Sequence, residues 1–576
     1  MIGAYTPQPA PYQRSADPTF TPPSLASNPR SSALIPGRLP SLPHRYNQNM
    51  ARIYPFKALR YDTSKVRMED VVTQPYDKIT PQMQQAYYDR SKYNLIRVIL
   101  GKKESGDTDA FAPLPPGQTP HKVYTRAAES LTSWRKKAIL REETEPALYG
   151  YTQTYTTPGT SEMQERKGFI ALGHLYDYAD HVVYRHEQTF PKHKSDRLAL
   201  FKATRAYCEQ IYMLYSDPAF TAEQLIFGAG PQEKPAKPAD LEITDEYNVV
   251  HRVWRLTDPH LINLIVTAMQ DKKLIIADGH HRYETSVTYM KERAAELGIP
   301  RLAHPGVSTH LGLSSRSEAQ SAQPAPPSQA QKTSVILSEA QSAQPKDPEE
   351  VSPATSAGPL STPDAGESPS NRADQPHALL PTPAFPEAAM MMTFVNMDAP
   401  GITILPTHRV VFNLPATYSL EHFLKAAEPW FEITKVPDTN ALTTTEGVAF
   451  LAATREGNYL LSARQHEVEA KLKELHPEIT PRQAQLDVVQ LHRIVLEHLL
   501  ALTHESIANL DNIRYLRSAE EAVQQVHDGK ADLAFLIKPV TLDQLRDISL
   551  SGDVMPQKST DFYPKLLSGL AIYALD

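Results

Sequence analysis

The chain has 576 residues, 41% hydrophobic and 22% charged, enough apolar material to bury more than one core. A formal charge of −7 lacks the basic excess of a protein that coats nucleic acid, and the single cysteine, Cys208, excludes an intramolecular disulfide and any thiolate metal cluster. No run of about 18 apolar residues occurs and the N-terminus lacks the apolar centre of a secretory signal, so neither a membrane span nor export is predicted, and a cytoplasmic location is expected.

Residues 1–49 are rich in Pro and Ser and poor in aliphatic clusters, which predicts a disordered leader. Met50 stands directly before the first strand-like segment and is a second candidate start of translation. An N-terminal α/β portion is expected over 50–313. Within it, 94–100, 147–155, 168–175 and 272–277 read as strands from their β-branched, aromatic and aliphatic content. Stretches 124–137, 195–208, 259–270 and 280–297 read as helices. Residues 314–386 are dense in Pro and carry the octamer SEAQSAQP twice, at 317–324 and 338–345, which predicts a low-complexity, disordered insertion. A C-terminal α/β portion over 387–576 adds a strand at 389–397 and helices at 419–427 and 486–502. In the last, Leu486, Val489, Leu496 and Leu500 recur at helical spacing. The expected class is mixed α/β in two lobes.

The stretch 272–290, KKLIIADGHHRYETSVTYM, carries the strongest chemical signal. An apolar strand ends in Asp278-Gly279 and an amphipathic helix follows at once. Gly279 permits a tight turn, and the unpaired amides and positive dipole of the first helical turn favour an anion near Gly279, His280 and His281. Arg282 can add a forked pair of hydrogen bonds to phosphate. Asp278 is placed to hold magnesium or accept a proton. The plain alternative is that Asp278 caps the helix while the histidines pack or face solvent. Adjacent helical residues point roughly 100° apart, so His280 and His281 are poor joint ligands for one ion, and a zinc site would need His408 or His186 as well.

A second cluster, YRHEQTFPKHKSDR at 184–197, places His186, Glu187, Lys194 and Arg197 beside a Pro turn that leads into a helix. This suits a substrate-handling loop with Glu187 as general base, although charge runs are as often solvated surface. Two smaller signals add candidate substrate contacts: LPTHR at 405–409, with His408 and Arg409, and MPQKSTDFYPK at 555–565, with Lys558.

The segments VTQPYDKIT, YNLIRV, EPALYGYTQTY, RKGFIAL, RHEQTF with SDRLAL, IADGHHRYETS, ILPTHRVV and GDVMPQKSTDFYPKLLSGL, in this order, resemble the bacterial and archaeal family known as domain of unknown function 1015, over about 53–576. The strand-DGHHR-helix unit resembles the core shared by ParB partition proteins, sulfiredoxin and an archaeal ADP-dependent free-serine kinase. That resemblance implies a turn that handles nucleotide phosphates. The kinase reads Asp-Gly-His-Thr-Arg there, and Asp278, Gly279, His280 and Arg282 match while His281 replaces a hydroxyl residue. It also implies a preceding helix, here opened by Asp258 and Pro259, which makes Asp258 a further candidate base. The turn contains no cysteine, which removes sulfiredoxin chemistry, and no basic helix-turn-helix stretch follows it, which argues against a DNA clamp.

Together these readings predict a phosphotransferase that uses ADP or ATP with Mg2+ and acts on a small hydroxylated metabolite such as serine. Its partners would be that substrate and the nucleotide, with neither nucleic acid nor membrane. The alternatives are a metal-dependent phosphoester hydrolase built on His186, His280 and His408, and a ParB-like module that binds nucleotide without turnover.

Overall fold

The computed structural model describes residues 50–104, 107, 122–189, 192–230, 233–299 and 379–576. The expected disordered leader at 1–49 and residues 314–378 of the expected insertion lie outside these residues.

Among the described residues the larger sheet has nine strands. Its order is Val183–Tyr184, Leu274–Asp278, Ile211–Tyr215, Ala389–Asn396, Met163–His174, Leu148–Thr156, Val250–Leu256 and Leu241–Thr244, with Ile53–Tyr54 pairing to Met163–His174. The two runs with no polar alternation, IYMLY and AMMMTFVN, are buried at every residue and lie side by side in the middle. A strand covered on both faces has no reason to alternate. Helices Lys192–Thr204 and His280–Glu296 pack against each other beside this sheet.

The second sheet has six strands, in the order Phe431–Val436, Gly457–Ala463, Ala449–Thr454, Leu533–Ile537, His408–Val411 and Ile513–Leu516. The sheets do not divide where the sequence portions do. Ala389–Asn396 enters the larger sheet, antiparallel to Met163–His174 and parallel to Ile211–Tyr215. The chain after the second sheet also returns: Asp561–Tyr563 pairs with Thr403–Leu405, and Tyr573–Ala574 with Ala206–Tyr207. The fold is mixed α/β, as composition and patterning predict.

One expected strand is helical. At 94–100 the chain forms the short helix Ile96–Ile99, because Asn94 accepts a hydrogen bond from the Ile96 amide at 2.9 Å and donates to the Asp70 carbonyl at 2.8 Å. A side chain that satisfies the first orphan amide outweighs the strand preference of a short apolar run. The helix expected over 195–208 ends at Thr204, after which Arg205 adopts φ 51° and Ala206–Tyr207 become a strand. Over 486–502 the α-helix Asp487–Gln490 widens into an i→i+5 helix, Leu491–Leu499, with Leu486, Val489, Leu496 and Leu500 all buried. Among the described residues no helix is long and apolar enough to cross a membrane.

Candidate functional site

The strand Leu274–Asp278 is buried through Ala277 and leaves the sheet at Asp278. Gly279 turns the chain with φ 97°, and the 17-residue helix His280–Glu296 starts at the next position. Glycine is needed here twice over. The conformation is left-handed, and a Cβ would lie 3.1 Å from Arg282 Nη2 and 3.1 Å from Ile211 Cδ1. No side chain caps the helix, and Gly279, His280, His281 and Arg282 at its start line a cavity of about 270 Å³.

Five other parts of the chain complete that cavity: the short helical turn Tyr76–Lys78, Glu187 with Thr189, Thr407, residues 515–517 at the edge of the second sheet, and the returning segment 558–565. They carry a chain of alternating charges. Lys565 Nζ donates to Asp278 Oδ1 at 2.7 Å and lies 3.1 Å from Asp561 Oδ1. Asp561 also accepts from Lys78 at 3.3 Å and from Arg517 at 3.0 Å. Burial alone would raise the Asp278 carboxyl, but Lys565 and Arg282 outweigh it and hold it well below the usual carboxylate range. Burial likewise opposes ionisation of Asp561, and Lys565 and Lys78 again win. Glu187 differs: burial raises its pKa and Lys558 offsets that only in part. Five cations (Lys78, Arg282, Arg517, Lys558 and Lys565) thus face four carboxyls (Asp77, Glu187, Asp278 and Asp561), one of them biased toward its neutral form. The cavity favours an anion.

Of the residues singled out in the sequence, Glu187, Asp278, Gly279, His280, His281, Arg282 and Lys558 all line this cavity. Arg282 does not have the fork expected for phosphate. Nη1 donates to the Gln210 carbonyl at 2.6 Å and Nη2 to Asp278 at 3.0 Å, so the guanidinium, 4% exposed, braces the turn from inside. His186 is fully buried behind the wall. Its Nδ1 donates to the Ile276 carbonyl at 2.8 Å, and burial pushes its pKa down to about 4, so its neutral Nε2 accepts from the Thr560 hydroxyl at 2.7 Å.

The remaining candidates lie off the cavity. Asp258 caps the helix Pro259–Met269 by accepting from the His260 amide at 2.9 Å. Lys194 pairs with Glu284. Arg197 bonds Asp196 and the Ile99 carbonyl and lies 4.1 Å from the centre of the Tyr76 ring, so it supports the Tyr76–Lys78 turn from behind. His408 accepts from the Ile537 amide within the second sheet, and burial pushes its pKa down to about 4. Arg409 is fully buried and bonds the carbonyls of Thr407 and Lys558.

Among the described residues no group of three or more His, Cys, Asp or Glu side chains could hold a metal ion. Both oxygens of Asp278 already accept from cations, so the residues present do not fit the magnesium site expected there. Nor do His186, His280 and His408 form the metal centre of the hydrolase alternative.

Tyr76, Asp77, Lys78, Arg517 and Asp561 are not among the candidates that the sequence suggests, whereas Lys565 belongs to the 555–565 signal. The signal for most of them was present: Tyr76, Asp77 and Lys78 lie in VTQPYDKIT, and Asp561 and Lys565 in GDVMPQKSTDFYPKLLSGL.

The chain matches the family described as "Protein of unknown function (DUF1015)" over residues 53–308 and 372–506. It belongs to that family. No curated protein matches it. Among solved structures, it is similar to a free serine kinase in complex with AMP, at 10% identity and TM-score 0.27, over 66% of this chain and 83% of that one. It is also similar to a conserved hypothetical protein from Pyrococcus furiosus, at 10% identity and TM-score 0.26, over 67% and 89%. A variant of the free serine kinase in complex with ADP gives 10% identity and TM-score 0.25, over 66% and 84%.

Proposed function

We propose that this cavity transfers a phosphoryl group from a nucleoside di- or triphosphate to the hydroxyl of a small metabolite such as serine. The observation that carries the reading is the convergence, on one cavity, of the uncapped helix amides after Gly279, the ammonium groups of Lys78, Lys558 and Lys565, and the raised-pKa carboxyl of Glu187.

Phosphoryl transfer asks a protein mainly for positioning and for neutralisation of spread charge. The amides at the turn and Lys558 would hold the transferred phosphoryl. Asp278, clamped between Lys565 and Arg282, would keep both cations in place. Glu187 would take the proton as the acceptor oxygen attacks phosphorus and the bond to the departing nucleotide breaks. A volume of about 270 Å³ falls just below the roughly 300–1,000 Å³ of small-molecule sites, which suits phosphates and a compact acceptor with the nucleoside toward the mouth.

Phosphorus NMR of the full chain with ATP or ADP, magnesium and a pool of hydroxylated metabolites tests this. A new phosphomonoester resonance is expected. A spectrum identical to that of a heat-inactivated control refutes the reading.

A further inference from the structure

Two of the segments singled out in the sequence, EPALYGYTQTY and RKGFIAL, line no part of the cavity, yet each sends a side chain to the segment that supplies Lys565. Gln153 and Arg166 stand directly opposite each other on the antiparallel strands Leu148–Thr156 and Met163–His174, so their side chains leave the same face of the sheet. Each is only 1% exposed. A buried guanidinium is usually paired with a carboxylate. Arg166 instead spends its donors on uncharged acceptors, the Gln153 side-chain oxygen and the carbonyls of Tyr563 and Pro564, and its Cζ lies 4.7 Å from the centre of the Tyr212 ring. Taking a charge out of water without a counter-charge is costly, so stability alone is a poor reason for an arginine here.

What the two side chains hold is the backbone of Lys565. Residues 564–567 form neither helix nor strand, so their carbonyls need donors from elsewhere. Gln153 Nε2 donates to the Lys565 carbonyl at 2.8 Å, and Arg166 donates to the Pro564 carbonyl and, at 3.3 Å, to that of Tyr563. Three successive carbonyls are thereby tied to one cross-strand pair. From this anchored residue the ammonium meets Asp278 Oδ1 at 2.7 Å and Asp561 Oδ1 at 3.1 Å. Lysine carries its charge on a flexible four-carbon stem, so the ammonium is only as well placed as the backbone beneath it.

We propose that Gln153 and Arg166 are positioning residues, which fix the 563–565 backbone so that the Lys565 ammonium lands between Asp278 and Asp561 in the cavity. This rests on the reading of Lys565 as part of a phosphate-binding wall, and it extends that wall to two residues outside the cavity. Burial opposes the Lys565 charge and the two carboxylates outweigh it, so a lysine that leaves its place loses the hold on its proton together with its geometry.

The first arm of the test needs no ligand. Lysines of the full chain are labelled with acetic anhydride at mildly alkaline pH and read by mass spectrometry, in the wild type, Arg166→Met and Gln153→Met. Lys272, paired with Asp217 at 3.4 Å, is the internal standard, and melting curves check the fold. Labelling of Lys565 relative to Lys272 should rise by about tenfold or more in both variants, the gain in free amine from a fall of one pK unit. The second arm measures inorganic pyrophosphate binding by calorimetry in Arg166→Met, Lys565→Met and the double variant. Arg166→Met should weaken binding by about tenfold or more, and should cost nothing further once Lys565 is replaced, whereas a merely structural role makes the two losses add. If Arg166→Met does not melt cooperatively, Gln153→Met takes its place in both arms. Unchanged Lys565 labelling, or additive losses of pyrophosphate affinity, overturns the positioning role. Raised labelling in the variants of a protein that binds neither pyrophosphate nor ATP keeps the positioning pair and removes the phosphate reading.

Discussion

His186 and Glu187 are neighbours in the chain and have opposite fates. The imidazole is buried, neutral and hydrogen-bonded at both nitrogens, whereas the carboxyl lines the cavity with a raised pKa. Sequence spacing names both as chemically able residues; which one reaches the cavity depends on which way each points after the strand Val183–Tyr184, and that is decided by packing. The same holds for Arg282, legible as a cation at the turn but not as one spent on Asp278 and Gln210. If Glu187 is the base, Glu187→Gln should lower kcat/KM by about 100-fold or more, the usual contribution of general-base catalysis, because its amide oxygen can still accept from the Lys558 amide but can take no proton. The nucleotide-induced melting shift should persist. Activity of the variant within a few fold of wild type would remove the assignment.

At the level of elements, the strand, glycine corner and helix at 274–296 were readable because every cue is local: an apolar run, a residue free to adopt positive φ, and an amphipathic period. The rest of the cavity was not, since Asp278 and Lys565 are 287 positions apart and nothing in either neighbourhood announces the other. The 94–100 segment failed for another reason: a short apolar run fits strand and helix alike, and the Asn94 side chain settles it. Asp258 has a local role, as a helix cap, that the sequence pattern does not separate from a chemical one. Asp258→Ala should cost about 0.5–2 kcal/mol in urea unfolding, the value of a lost helix cap, with turnover and ligand affinity unchanged. A large loss of turnover at unchanged stability would restore it as a base.

Across the whole molecule, buried histidines tie stability to acidity. His174, His186 and His408 are each pushed down to about 4 by burial, while an unfolded histidine ionises near pH 6.5, so in that window the unfolded chain binds protons that the native state refuses. Stability therefore falls as pH drops below about 6.5, and the three together should remove roughly 2 kcal/mol between about pH 7 and pH 6. Asp487, raised to about 6 by burial, acts in the opposite sense but by less than one histidine over that interval. Urea titrations at the two pH values check this, and equal or greater stability at the lower pH contradicts it. The central strand Ala389–Asn396 and the closing Lys565 also set an order for biosynthesis. While the first half of the chain emerges from the ribosome, Met163–His174 and Ile211–Tyr215 await a partner encoded far downstream, with hydrogen-bonding edges open to the wrong neighbour. The pocket itself is assembled last. A nascent chain halted before residue 558 lacks Lys558, Asp561 and Lys565, so this wall of the cavity is missing until that late segment has been synthesised.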